Sequence, residues 1–398
     1  MTHMNYDQIG LCGLINASIY NTLLCLSDSA DWSTLLQEAI DQTVVGLAVP
    51  AVKKNAEDHD VPNLDQWTSM GDQLVAYFVC CFQAQRELVK LFEQEGIPLV
   101  IVKGYAAAVN YPVPKLRTMG DVDFLVPKDR FEDAKVLMKK SGYIEEYGAS
   151  HEESRHIGYK KNGVVFEMHR SMSSFGVDID DVLEKAMAHA DTGTIAGISF
   201  PMLPPLENGL VLLIHIRQHL LEEAYSLGLR QIIDWMMYVN RYCGTEIDGS
   251  LWDDKFLELA ETYGMGMLVV TVTYICREWL GLPHAPKWCD GADRQTAEEL
   301  LEMIMASGNF GSKVDRKGQS VKQGIVHYKH FGFKRLQERG VANWKAAQKY
   351  PVLKPFAWIY QGFRVIGLGT KAFFSNKQGM KQIAEGSKKG DLLKRLGV

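Results

Sequence analysis

Between Met119 and Val126 the chain reads Met-Gly-Asp-Val-Asp-Phe-Leu-Val, alternating with the period of a β-strand. That alternation puts Asp121 and Asp123 on one face and Val122, Phe124 and Val126 on the other, toward a core. Two carboxylates side by side repel, and each raises the cost of ionising the other. A bound cation relieves the repulsion, and oxygen ligands of this kind suit Mg²⁺. Two solvated aspartates at a sheet edge satisfy the same spacing, so spacing alone leaves both open.

A third carboxylate lies in Val165-Phe166-Glu167-Met168-His169-Arg170. Alternation puts Glu167 with His169, opposite Phe166 and Met168. Residues 155–160 and 164–169 read as a hairpin around Lys161-Asn162-Gly163, because Asn-Gly favours a tight turn. If the Glu167 strand lies beside the Asp121 strand, three carboxylates converge, as two-metal phosphoryl chemistry requires. The competing reading is a surface Glu-His pair. Upstream, Pro98 to Gly104 is a short apolar strand ending in Lys103-Gly104, with a short helix expected over Tyr105 to Asn110. A glycine there allows close backbone approach by a phosphate, and Lys103 adds a cation.

The run from Ile97 to Tyr143 closely resembles the uncharacterised nucleotidyltransferase family of the polymerase-β-like superfamily. Its pattern is a strand ending in Lys103-Gly104, a Tyr111-Pro112 loop, Arg117, Gly120-Asp121-x-Asp123, and a later strand with Glu167 and His169. The wider superfamily has Gly-Ser where this chain has Lys-Gly, so a serine contact to the triphosphate is missing. The resemblance implies transfer of a nucleoside monophosphate from an NTP to a hydroxyl-bearing acceptor, with pyrophosphate released. It implies Mg²⁺ or Mn²⁺ held by Asp121, Asp123 and Glu167, these three being catalytic. It places Lys103, Gly104, Arg117, Gly120 and His169 around the nucleotide; Arg117 could equally brace its loop. The implied acceptor is a small molecule, a sugar or lipid-linked precursor, or a protein. Toxin-type nucleotidyltransferases that modify RNA, and a non-catalytic nucleotide-binding module, are the alternatives.

A second constellation is His215, His219, Arg230 and Asp234. Each pair is spaced i, i+4 and shares a helix face, which suits a His pair and an Arg230–Asp234 ion pair. Arg230 and Asp234 are expected at the nucleotide wall of the cleft, or in a buried network between helices. The fold expected is α+β: a polymerase-β-like core, a small mixed sheet of few strands with flanking helices, between helical regions. The boundaries drawn are 1–95, helical; 96–205, catalytic; 206–308, helical; and 309–398, basic and helical. Residues 309–323 read as a linker.

Charge is uneven. Residues 313–398 hold 19 Lys or Arg against 4 Asp or Glu, so this part is expected to meet something anionic: RNA, a lipid surface or the chain's own acidic body. Lys388, Lys389, Lys394 and Arg395 beside Leu392, Leu393 and Leu396 suit an amphipathic helix at such a surface or a docked terminus. Trp344, Phe356, Trp358, Tyr360 and Phe363 among lysines suit single-stranded nucleic acid or a core. The 7 cysteines form no CxxC pair, which predicts reduced thiols. Residues 1–10 carry no signal-like pattern, and Met265 to Cys276 is too short to span a bilayer; both predict a cytoplasmic protein.

Overall fold

A computed structural model describes residues 4–24, 26, 31–147, 155–221, 227–242, 249–313, 337, 340–341, 343–361, 363–364 and 388–398. Four helices lead: α1 (Tyr6–Tyr20), α2 (Trp32–Asp41), α3 (Val45–Asn55) and α4 (Leu64–Gln94). Asn5 and Gln8 form a capping box at the start of α1, and Asp31 caps α2. Helix α4 ends just before Gly96, whose φ of 63° suits a glycine stop.

The middle of the chain alternates: β1 (Val100–Ile101), α5 (Gly104–Ala108), β2 (Val122–Leu125), α6 (Phe131–Lys140), β3 (Ile144–Tyr147), β4 (His156–Lys161), β5 (Val164–His169), α7 (Asp180–Met187), β6 (Asp191–Ile195) and β7 (Ile198–Met202). Among the described residues these strands form one seven-stranded sheet in the order β3-β4-β5-β2-β1-β7-β6. It is mixed: β2 runs parallel to β5 and β1 parallel to β7, the other pairs being antiparallel. The expectation of few strands is corrected. The β6-β7 hairpin turns through Ala196 and Gly197, with φ of 50° and 76°, and alanine is not a usual signal for such a turn. The β4-β5 hairpin turns as expected, through Asn162 and Gly163 with φ of 51° and 82°.

Helices α8 (Pro205–Leu221), α9 (Leu229–Tyr242), α10 (Gly249–Thr262), α11 (Gly266–Leu280) and α12 (Arg294–Ser307) follow. Each face of the sheet meets its own core. Ile101, Val122, Phe124, Phe166 and Met168 bury against α4 and α6. Val100, Val102 and Leu125 join a larger core built from α1–α3, α8–α12 and the C-terminal residues. The first and last helices are also tied by polar contacts: Gln42 Nε2 donates to Ile304 O at 3.1 Å, and Leu229 N donates to Gln42 Oε1 at 2.9 Å.

The last residues dock on this core. Leu392, Leu393 and Leu396 are buried, Arg395 Nε donates to Thr296 Oγ1 at 3.0 Å, and Arg395 pairs with Glu299. Trp344 stacks on Tyr360 at 5.3 Å, while Phe356 and Phe363 are exposed. Residues 314–323 of the expected linker lie outside the described residues. Cys12, Cys81, Cys276 and Cys289 are buried free thiols. Among the described residues no helix is long and apolar enough to cross a membrane.

Candidate active site

Alternation decides which side chains of β2 face which core. Val122 and Phe124 point to the α4–α6 side; Asp123 and Leu125 therefore look toward α8 and α9. Parallel pairing with β5 sets Asp123 opposite Glu167 and Leu125 opposite His169. Antiparallel pairing with β4 sets His156 opposite His169. One patch of sheet thus carries Asp123, Glu167, His169 and His156, with Asp121 at the entrance to β2.

Lys103 enters from the other side. Val102 N donates to Asp123 O at 3.1 Å, which fixes the end of β1 beside Asp123. Lys103 then turns the chain from strand to helix with φ 51° and ψ −123°, a conformation side chains rarely take. Its ammonium donates to Asp123 Oδ1 at 2.7 Å and lies 3.5 Å from His169 Nε2. His169 Nε2 is 2.8 Å from the same oxygen, so as a hydrogen bond it must carry the proton. It also lies 3.5 Å from Glu167 Oε2, and His156 Nε2 lies 3.6 Å from Glu167 Oε1. Lys103, Asp123 and His169 are buried; Asp121, Glu167 and His156 are half-buried.

These neighbours split the carboxylates. Asp121 is pushed up to about 7, first by burial and then by the charges of Asp123 and Glu167. Burial pushes Asp123 and Glu167 up as well. The Lys103 charge and the His169 hydrogen bond together outweigh it at Asp123, and the His169 hydrogen bond with the charges of Lys103, His169 and His156 does so at Glu167, so both stay below the ordinary carboxylate range. Burial lowers His156 to about 4. Ligand atoms of Asp123, Glu167 and His169 lie within 4.8 Å of one another, close enough to share a metal ion. Sequence reasoning missed His156, although counting back from the Asn162-Gly163 turn places it opposite His169.

The loop before Asp121 is braced from several sides. Arg117 gives Nε and NH2 to the two oxygens of Asp234, both at 2.7 Å, and Tyr111 OH donates to Asp234 Oδ1 at 2.7 Å. Arg117 and Arg230 each donate from NH1 to Thr118 O at 3.3 Å, and Tyr77 OH donates to Gly120 O at 2.9 Å. Arg117 and Asp234 are buried, and their polar atoms are taken up by each other, by Thr118 O and by Tyr111. The sequence reading left a nucleotide contact and a brace open for both residues, and the geometry shows them bracing the loop. The ion pair drawn by helical spacing between Arg230 and Asp234 goes to Arg117 instead. Gly104 admits the loop: a Cβ there would stand 3.0 Å from Met119 Cε and 3.5 Å from Asp121 O. Gly120 is exposed with open space around it.

On α8, His215 and His219 face each other, Nε2 to Nε2 at 2.9 Å, so one donates and the other accepts. Burial lowers both; His215 falls well below the ordinary histidine value and His219 to about 3, and the charges of Lys103 and Arg230 act the same way. Both imidazoles are neutral near pH 7 and form a hydrogen-bonded pair.

The model of a family described as uncharacterised nucleotidyltransferase matches residues 28–281, more than half of the chain. The chain belongs to this family. The family span holds every residue of the patch, the Arg117–Asp234 brace and the His215–His219 pair. It also takes in α2–α4, which pack on both sides of the sheet. No curated protein matches the chain.

Proposed function

We propose that this member of the nucleotidyltransferase family moves a nucleoside monophosphate from an NTP to a hydroxyl-bearing acceptor, using a divalent cation and a polymerase-β-like core. The observation that carries the reading is the register of β2 with β5, which sets Asp123 beside Glu167 with Asp121 at the strand entrance. Three carboxylates drawn together around one buried lysine have no structural use that apolar residues would not serve better. The donor set fits Mg²⁺ or Mn²⁺: ligand atoms of Asp123, Glu167 and His169 lie within reach of one ion, and Asp121 adds a carboxylate whose charge is felt beside them. When bound, such a cation polarises the phosphates and favours the ionised acceptor oxygen.

The chain's own residues do the rest. Lys103 and His169 hold Asp123 ionised and fixed. The Arg117–Asp234 brace and Tyr77 hold residues 118–120, so Asp121 enters β2 at a set position. Arg230, anchored on Thr118 O, adds a positive charge beside Asp121 that suits a polyphosphate. In the transfer, the acceptor oxygen bonds to the α-phosphorus. The bond from that phosphorus to the pyrophosphate oxygen breaks, pyrophosphate leaves with the electron pair, and the hydroxyl proton passes to a carboxylate of the site.

Calorimetric titration of the full chain with each of the four NTPs, with and without Mg²⁺, tests this reading. Saturable, cation-dependent binding of at least one NTP is expected, and a loss of at least tenfold in affinity in Asp123→Asn. Failure of all four NTPs to bind with either Mg²⁺ or Mn²⁺ contradicts it.

A further inference from the structure

Two-cation phosphoryl chemistry asks a shared carboxylate to bridge both ions, one through each oxygen. In this chain one oxygen of the central carboxylate is already taken. Asp123 Oδ1 receives the Lys103 ammonium at 2.7 Å and His169 Nε2 at 2.8 Å, all three residues being buried. The placement of the lysine is not left to a long, free side chain. The Val102 N to Asp123 O hydrogen bond sets its Cα beside Asp123, and the positive φ at Lys103 directs it. Glycine would make that turn without strain, yet the chain keeps a lysine there. An ammonium carries three donors and a full charge, and buried it must stay against an acceptor. With all three carboxylates ionised, one ammonium leaves two negative charges, which is the charge of a single divalent cation.

We propose that the Lys103 ammonium does the work of one cation at Asp123, so that the site takes one divalent ion per chain rather than two. Glu167 and the oxygen of Asp123 left free by Lys103 would hold that ion, with Asp121 beside them. The inference rests on the nucleotidyltransferase reading and narrows it: Lys103 is a resident cation beside the nucleotide, and the catalytic ion is the one that arrives with it.

Equilibrium dialysis tests this. The full chain is dialysed against saturating Mn²⁺ and the α,β-methylene analogue of ATP, GTP, CTP or UTP in turn. Metal and nucleotide are then quantified in both chambers. One Mn²⁺ per chain is expected with the analogue that binds. Lys103→Gly, which keeps the turn unstrained, is expected to take two, and Lys103→Arg one. Circular dichroism confirms that each variant is folded. Two Mn²⁺ in the unaltered chain, or one in folded Lys103→Gly, overturns the proposal. No Mn²⁺ with an analogue bound overturns it as well. No Mn²⁺ and no bound analogue removes the transferase reading along with it.

Discussion

Asp121 and Asp123 are two residues apart, yet their surroundings drive them in opposite directions. Lys103 and His169 keep Asp123 ionised, whereas Asp121 is raised from 3.8 to about 7 by burial and by its neighbours' charges. A raised carboxyl favours folding in its protonated form. Its contribution is whole below about pH 4 and is lost as pH rises through about 7. His156 and His219, lowered to about 4 and about 3, act in the opposite sense, because unfolding frees them to take up protons below about 6.5. The Asp121 share is therefore read as a difference. In metal-free protein, the melting temperature of Asp121→Asn minus that of the parent should grow by at least about 2 °C from pH 5 to pH 8. At pH 8, Mn²⁺ should raise the parent's melting temperature and leave the variant's nearly unmoved. Parallel pH curves would show that Asp121 is not the raised group. The three carboxylates were legible because strand alternation and motif spacing fix them locally. The Lys103–Asp123 pair was not, since it depends on which strands are neighbours and on a strained turn that no residue type announces.

At the scale of elements, the loop from Tyr111 to Gly120 owes its shape to a buried ion pair between it and α9. Removing one partner leaves the other charged and buried, at a cost of roughly 3–5 kcal/mol. Arg117→Met and Asp234→Asn should each lower stability in urea by about that amount. The double variant Arg117→Met/Asp234→Asn should lose clearly less than the two losses added. Additive losses would mean that the pair does not act as a unit. Elements with strong local signals were readable: the short helix after Lys103 and the hairpin at the Asn162-Gly163 turn. The β6-β7 hairpin was not, because Ala196 in a left-handed conformation is held by the sheet around it rather than by its own preference. The partner of Asp234 was misread for a similar reason. Helical spacing offers Arg230, but a guanidinium fork arriving from another segment makes the better bidentate fit.

Across the whole molecule, the helices before and after the sheet share one apolar core, and the C-terminal turn closes it. Leu393 is fully buried there. Leu393→Ala should cost about 2–5 kcal/mol of stability while leaving the Mn²⁺ count of the site unchanged. An unaltered unfolding midpoint would show that the terminus is not docked in solution. The sequence read the leucine spacing of this segment but left a surface and a docked terminus equal, because burial is a property of the partner helices. In the proposed transfer it is the α-phosphorus of the nucleotide that moves. The full chain, incubated with cell extract and Mn²⁺, should transfer label from an α-³²P NTP to an acceptor and none from the γ-³²P form. Transfer should vanish in Asp121→Asn/Asp123→Asn. Transfer of the γ label, or α-label transfer that survives in the double variant, would contradict the account.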